Sequence, residues 1–259
     1  MGNKNNELNM KKYNILFACA LSQELKTIKS LIKNLNFTAL KIDFLQTGVG
    51  NYNTIYSLKD YLSKNKTDFI VNIGVCGKAS FDLKNDCFQV ARIKNNSNFK
   101  ESLPTIYFKF LDLKSILSSE KVITNTEEMS LEDYVDMESF AIDFVASKEK
   151  IPAIILKKPF DFVSLDSKKV DIEAMQNSLK DLDYISLLEN ISSYLGQNTK
   201  NEENYDFYKE HFSFTFSEFE IFKKLVNRYK ALHKTDFKDF FERFKNLSKK
   251  EFLEIFDKV

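Results

Sequence analysis

The sequence predicts an α/β fold with a largely parallel sheet covered by helices on both faces, followed by a helical C-terminal extension. Three observations carry this prediction. Short apolar runs alternate with longer amphipathic stretches from Tyr13 to about Leu195. Several runs, such as DFIVNIGV at 68–75, are almost continuously apolar, as expected for central strands covered on both faces. Beyond Asn198 the composition shifts to Lys, Glu and Phe without any strand pattern.

The elements follow from these patterns in chain order. The predicted strands span residues 13–20, 41–47, 68–75, 87–93, 105–111, 121–126 and 152–158. The predicted helices span residues 22–34, 51–64, 137–149 and 168–194, with two to four more in the tail. One tail helix covers 217–233, and the pairs Ser217/Glu220 and Ser248/Glu251 have capping-box spacing. We therefore divide the chain into a disordered segment (1–12), an α/β domain (13–195) and a helical extension (196–259).

Composition excludes several classes of protein. Lys and Arg number 38 against 37 for Asp and Glu, so no charge excess predicts a nucleic-acid partner. No apolar stretch approaches the roughly 20 residues that span a bilayer, so no membrane partner is expected. Cys19, Cys76 and Cys87 form no CxxC pair, which predicts buried thiols in a cytoplasmic protein rather than a metal site or disulfides.

Two glycine-containing segments lie where predicted strands end. QTGVGNYN (46–53) precedes a helix, and NIGVCGKA (72–79) follows the third strand. Parallel sheets bind ligands beyond the carboxyl ends of their strands, and glycine there lets backbone N–H groups approach a ligand. Neither segment is a dinucleotide fingerprint or a P-loop. Ordinary turn glycines explain each segment equally well when it is taken alone.

Four acidic residues also lie at strand exits. Glu24 follows the first strand, Asp136 and Glu138 precede a helix, and Asp161 follows the run PAIILKKPF. Any one of them could be a solvated acid near a helix N-terminus. Together with the glycine turns they form a pattern that predicts a ligand site.

The motifs resemble those of the nucleoside phosphorylase/nucleosidase superfamily, and most closely the bacterial methylthioadenosine/S-adenosylhomocysteine nucleosidases. The resemblance covers about residues 13–195 and rests on ALSQE (20–24), GVG (48–50), NIG (72–74), VDMES (135–139) and the strand leading to Asp161. VDMES, similar to the acid–Met–Glu motif of the family, is its most specific element. The resemblance implies a three-layer α/β/α domain with a mixed, partly closed sheet.

The resemblance also implies roles for individual residues. Asp161 would donate a proton to N7 of a purine, and Glu24 would activate the attacking water. Glu138 would bind the ribose hydroxyls with Met137 packed under the sugar. Further contacts would come from Asp136, Gly50, Gly74, Val75, Glu128 and Met129. No cofactor or metal is implied, because carboxylates and water suffice for cleavage of an N-glycosidic bond.

Three positions depart from the nucleosidase pattern. Val75 and Phe160 stand where the family usually has Ser, and Glu128 stands where an aromatic residue normally stacks on the purine. The resemblance implies a homodimer that acts on a 5′-thio-substituted adenosine. Hydrolysis is expected rather than phosphorolysis, because Asn72 and Val75 replace the Arg and the hydroxyl residue that related phosphorylases use for phosphate. Two alternatives stay open: a phosphate-dependent phosphorylase using Arg92 or Lys157, and a catalytically weak nucleoside-binding protein.

Overall fold

The computed structural model describes residues 12–98, 100–129, 131–164, 171–198, 205–233 and 237–257. The strands are β1 (Tyr13–Cys19), β2 (Leu40–Gln46), β3 (Phe69–Lys78), β4 (Phe88–Asn95), β5 (Glu101–Ser102), β6 (Leu113–Ser118), β7 (Tyr134–Asp136) and β8 (Ala153–Phe162). The helices are α1 (Ser22–Ile32), α2 (Asn51–Lys64), α3 (Ser139–Glu149), α4 (Ile172–Ser178), α5 (Tyr184–Asn198), α6 (Asp206–Phe212), α7 (Phe216–His233), α8 (Phe237–Phe244) and α9 (Lys249–Asp257). No helix among the described residues is both long and apolar enough to cross a membrane.

The sheet is mixed and partly closed, as expected. β2, β1, β3 and β8 pair in parallel in that order. β8 then pairs antiparallel with β4, which runs parallel to β6, and β6 runs parallel to β7. β7 pairs antiparallel with the end of β3, so β3, β8, β4, β6 and β7 form a closed ring. The predicted fold class is confirmed, including the helices of the C-terminal extension.

Each face of the sheet buries one set of alternating side chains. On β1, Ile15 and Phe17 belong to a core with α1 and α5, whereas Leu16 and Ala18 belong to a second core with α2 and α3. Burial on both faces explains why the central strands are apolar throughout. The helices thus form the two outer layers, and the strand ends remain open for a site.

Two strand predictions are wrong. Residues 105–111 form no strand, because their backbone forms hydrogen bonds with the side chain of Gln89 instead of a neighbouring strand. Nε2 of Gln89 donates to the carbonyl of Phe108 (3.1 Å), and its Oε1 accepts from the N–H of Phe110 (2.9 Å). Residues 121–126 form a loop leading into a 3-10 turn at Thr126–Met129. The strands of this region are β6 and the three-residue β7, which the apolar pattern did not indicate.

Two predicted helices also differ from the structure. The helix predicted at 137–149 begins two residues later, and the one predicted at 168–194 is divided into α4 and α5 by a 3-10 turn at Leu179–Asp181. Of the segment predicted to be disordered (1–12), residues 1–11 lie outside the described residues. The first three residues of the helix predicted at 168–194 also lie outside them. The boundary at residue 195 stays a prediction.

The described residues of the extension form the helices α6 to α9 around a core of phenylalanine rings. Its buried side chains are Phe212, Phe214, Phe222, Leu225, Val226, Phe237, Phe240, Phe241, Phe252 and Phe256. Leu103, just after β5, packs against this core. The capping box at Ser248/Glu251 is confirmed, because each residue accepts a hydrogen bond from the other's N–H (3.0 and 3.4 Å). The box predicted at Ser217/Glu220 is wrong: Thr215 and Glu218 form it instead (2.8 and 3.3 Å).

Candidate active site

A cavity of about 360 Å³ brings together the three carboxylates on which the sequence prediction depends. Glu24, Glu138 and Asp161 all line it, although they come from α1, the start of α3 and the end of β8. Its remaining lining is Ala20, Leu21, Val49, Val75, Cys76, Gly77, Lys121, Val122, Ile123, Val135, Asp136, Met137 and Val163. The volume is in the range of small-molecule sites, and the lining is mostly apolar with few polar groups.

Glu24 is held by backbone N–H groups from two elements. Its Oε2 accepts from Leu21 at the start of α1, and its Oε1 accepts from Val75 on β3, each at 3.0 Å. Val75 therefore contributes its backbone rather than its side chain to this contact. Burial raises the pKa of Glu24 from its ordinary value, although the hydrogen bonds and the nearby Lys157 oppose this shift. A raised pKa makes this carboxylate a stronger base than a solvent-exposed glutamate.

Glu138 lies at the N-termini of two helices. It is the residue before α3, and its Oε1 accepts the N–H of Gly50, just before α2, at 3.0 Å. Gly50 has φ +95°, a conformation that favours glycine. Burial raises the pKa of Glu138 to about 7, while Lys157 and the Gly50 N–H lower it. The carboxylate is thus partly ionised near neutral pH.

Lys157, which the sequence analysis considered only as a cation for phosphate, is paired with an acid of the site. Its side chain is 1% exposed, and its Nζ lies 2.8 Å from Oδ2 of Asp136. Burial lowers the pKa of Lys157, but the carboxylates of Asp136, Glu138 and Glu24 outweigh this effect and raise it overall. The ammonium therefore stays charged among three acids. The available signal was a pair of lysines, Lys157 and Lys158, inside an otherwise apolar strand.

Gly74 leaves the space in which these charges meet. A Cβ at this position would lie 3.1 Å from Oε1 of Glu24 and 3.6 Å from Nζ of Lys157. A side chain here would press on the carboxylate and approach the ammonium. The predicted importance of Gly74 thus has a steric explanation, and no ligand contact is needed to account for it.

Asp136 supports this arrangement from β7. Its Oδ2 accepts from the N–H and the hydroxyl of Ser139 (3.0 and 2.6 Å) as well as from Lys157. Its Oδ1 is buried and has no hydrogen-bond partner among the described residues. This unpaired acceptor therefore belongs to a residue that lines the cavity.

Asp161 is half-buried near the end of β8. A register shift between Cys76 and Gly77 pairs it with Gly77 of β3. Burial raises the pKa of Asp161, which favours the protonated form that can donate to a ligand. The adjacent Phe162 stacks on Phe81, with ring centroids 4.2 Å apart.

Four predicted contacts, Gly50, Gly74, Glu128 and Met129, are not among the described residues that line the cavity. Gly50 acts there through its N–H to Glu138, and Gly74 through the space it leaves beside Glu24. Glu128 is exposed on the 3-10 turn, and Met129 is buried in a small cluster with Ile123 and Val163. Neither is among the described residues that line the cavity, which receives Val122 and Ile123 instead. The loop thus lines the cavity with residues that precede the 3-10 turn, not with the turn itself. Among the described residues, no group of His, Cys, Asp and Glu is arranged to hold a metal ion.

Fold and site together define an α/β protein with the architecture of the nucleosidases. A methylthioadenosine/S-adenosylhomocysteine nucleosidase from Helicobacter pylori is similar over 72% of this chain and 99% of its own, with 14% identity and a TM-score of 0.58. A Chlamydia trachomatis MTAN variant bound to MTA is similar over 68% and 98%, with 18% identity and a TM-score of 0.56. A futalosine hydrolase mutant from Helicobacter pylori gives 65% and 97%, 13% identity and a TM-score of 0.56.

These likenesses confirm the fold that the motif resemblance implied. They span nearly the whole of each of the three solved structures but leave part of this chain unmatched. The sequence matches no protein-family model and no curated protein.

Proposed function

We propose that this protein is a purine nucleosidase that hydrolyses the N-glycosidic bond of a 5′-thio-substituted adenosine to free base and sugar. The observation that carries the proposal is the convergence of Glu24, Glu138 and Asp161 on one cavity. Solved structures of the same fold supply the substrate class, since their names specify methylthioadenosine and S-adenosylhomocysteine.

Asp161 would act on the leaving group. Its raised pKa favours a protonated carboxyl, which can donate to N7 of the purine as the bond from C1′ to N9 breaks. Protonation lets the base depart as a neutral molecule. The apolar side chains of Ile123 and Val163, which belong to one buried cluster and line the cavity together with Asp161, would cover the base.

Glu138 and Met137 would hold the sugar. The carboxylate of Glu138 is fixed by Gly50 and can accept hydrogen bonds from the ribose hydroxyls, while Met137 provides an apolar surface in the same cavity. Positive charge develops on the ribose ring in an oxocarbenium-like transition state. The acids around this ring would stabilise that charge.

Glu24 would activate the water. The oxygen of water forms the new bond to C1′, its proton passes to Glu24, and the electrons of the broken bond remain on the base. The positive charge of Lys157 offsets the repulsion among three neighbouring acids. Glu24 can therefore stay ionised in a buried position.

Water is favoured over phosphate as the nucleophile because carboxylates already occupy the backbone donors that would hold an anion. The N–H groups of Gly50 and Val75 donate to Glu138 and Glu24, and that of Asn51 donates to Glu120 at 2.8 Å. Both cations considered for phosphate are already paired with carboxylates. Arg92 pairs with Glu101 at 3.2 Å near the extension, and Lys157 pairs with Asp136.

A homodimer is part of the proposal. Val49 at the cavity is 42% exposed, and Tyr52 and Tyr56 on the same side of α2 are 74% and 77% exposed. Rings at positions i and i+4 form a contiguous apolar surface on a helix. A second copy covering this surface would lie next to the position of the sugar.

The deciding experiment measures adenine release from methylthioadenosine by the purified protein, with and without phosphate. We expect release without phosphate and a free sugar as the second product. Strict dependence on phosphate with a sugar 1-phosphate product would establish a phosphorylase. Nucleoside-induced thermal stabilisation without any base release would establish a binding protein.

A further inference from the structure

The cavity opens to solvent beside a single cation. Three of its lining residues are exposed, namely Val49, Lys121 and Val122, and they define the mouth. Val49 and Val122 are 42% and 49% exposed and present only apolar surface. Among the described residues that line the cavity, Lys121 alone is positively charged, against four acids.

The mouth lies next to the position proposed for the sugar. Val49 directly precedes Gly50, whose N–H donates to Glu138. Lys121 directly follows Glu120, whose carboxylate accepts the N–H of Asn51 on the same helix N-terminus. Both sides of the mouth are therefore attached to the segment that holds the sugar carboxylate, and a group on the 5′ carbon of a bound nucleoside would extend between them.

The ammonium of Lys121 is available for a ligand. No hydrogen bond or ion pair joins its Nζ to the described residues, whereas Glu120 beside it is engaged by α2. The segment is anchored on both sides of this lysine: the N–H of Lys121 donates to Ser119 (3.2 Å), and Ile123 is buried. A cation on an anchored backbone, at the edge of an acidic cavity, is a recognition group for an anion that stays outside the acids.

We infer that Lys121 binds an anionic group attached to the 5′ carbon of the substrate, a carboxylate on a thioether arm or a phosphate. This inference rests on the proposed nucleosidase function. The preferred substrates are then nucleosides whose 5′ substituent passes the apolar side chains of Val49 and Val122 and ends in a negative charge. The acidic interior would exclude the same charge from the base and sugar positions.

The test compares kcat/KM for four substrates: methylthioadenosine, 5′-(3-carboxypropylthio)adenosine, its neutral carboxamide, and adenosine 5′-monophosphate. We expect Lys121→Met to lower kcat/KM by about 5- to 10-fold for the preferred anionic substrate only, in a salt-dependent way. Lys121→Arg should restore the value. Lys84→Met, at an exposed lysine away from the cavity, should change none of the four.

Each outcome is decisive. Equal effects of Lys121→Met on the carboxylate, its carboxamide and the phosphate would overturn the inference while leaving the nucleosidase intact. The two anionic substrates distinguish a carboxylate from a phosphate. If no substrate releases adenine, the proposed function fails. Calorimetric Kd values of the wild type and Lys121→Met for the same four compounds then decide whether Lys121 binds the anionic group.

Discussion

The α/β part and the helical extension bury different kinds of side chain. Around the cavity the α/β part encloses Glu24, Asp136, Glu138 and Lys157, all buried. In the described residues of the extension every buried side chain is apolar, and most are phenylalanine. Burying ionised groups costs free energy unless they are paired, whereas burying aromatic rings is favourable. The α/β part therefore loses stability by burying charges at its site. The buried side chains of the extension, in contrast, contribute only apolar packing.

The largest effect should come from removing the acid at the leaving group. Asp161→Asn keeps the shape of the side chain but cannot donate a proton in the same way, so we expect kcat to fall about 10²- to 10⁴-fold. Asp181→Asn is the matched control, because Asp181 is 68% exposed and pairs with Lys158 outside the cavity. Steady-state adenine release measures both. Equal activity in the two variants would contradict the role of Asp161.

The second effect separates a buried from a surface ion pair on the same strand. Lys157→Met leaves Asp136 buried without its partner and should lower the free energy of unfolding by about 3–5 kcal/mol. Lys158→Met removes a pair with the exposed Asp181 and should cost about 1 kcal/mol or less. Urea unfolding of both variants gives the comparison. Similar losses would mean that the cavity charges do not depend on Lys157.

A third prediction addresses the extension itself. Phe252→Ala removes a fully buried ring from its core and should cost about 3–5 kcal/mol of local stability. Because Leu103 is the α/β residue that packs against this core, we expect faster hydrogen exchange in α6 to α9 and unchanged adenine release. Phe216→Ala, at a ring that is 78% exposed, is the control. A parallel loss of activity would show that the two regions depend on each other.

A fourth prediction concerns pH. The pKa of Glu138 is raised from 4.5 to about 7 in the folded protein, so its contribution to stability is present below pH 4.5 and is lost as the pH rises through 7. We expect the stability of the wild type relative to Glu138→Gln to fall by on the order of 1–3 kcal/mol between pH 5 and pH 8. Denaturant unfolding at several pH values measures this difference. A constant difference would contradict the buried state of this carboxyl.

The smallest effect distinguishes two serines in the extension. Ser248→Ala removes a helix cap and should cost about 1 kcal/mol, whereas Ser217→Ala should be nearly neutral because Thr215 forms the cap of α7. Thermal unfolding of the two variants tests this order. The reverse order would place the start of α7 where the sequence pattern predicted it.

Sequence reasoning succeeded where the signal is local. Glu24 and Asp161 each adjoin an apolar run, so their position at a strand exit can be read from neighbouring residues, and α2 occupies its predicted span of 51–64. The Lys157–Asp136 pair was not predictable in this way, because β7 and β8 meet only through the closed sheet.

The strand errors have a similar cause. Residues 105–111 are apolar enough for a strand, but a single side chain, Gln89, serves their backbone from another part of the chain. β7 has three residues, too few for an alternating pattern to indicate. The part of the loop that lines the cavity was likewise predicted wrongly. It is fixed by the burial of one residue, Ile123, which no local pattern indicates.

The closed ring of strands has a consequence for motion. β7 is hydrogen-bonded on both sides, and the carbonyl of Asp136 accepts the N–H of Ser119 at 2.8 Å, so the floor beneath a bound molecule is stiff. The rim consists of loops that are held by single hydrogen bonds: Nδ2 of Asn53 donates to the carbonyl of Val49 at 2.7 Å, and the N–H of Lys121 donates to Oγ of Ser119 at 3.2 Å. A ligand would therefore enter and leave past the loops of the rim. The strands below would meanwhile hold the carboxylates at a fixed spacing.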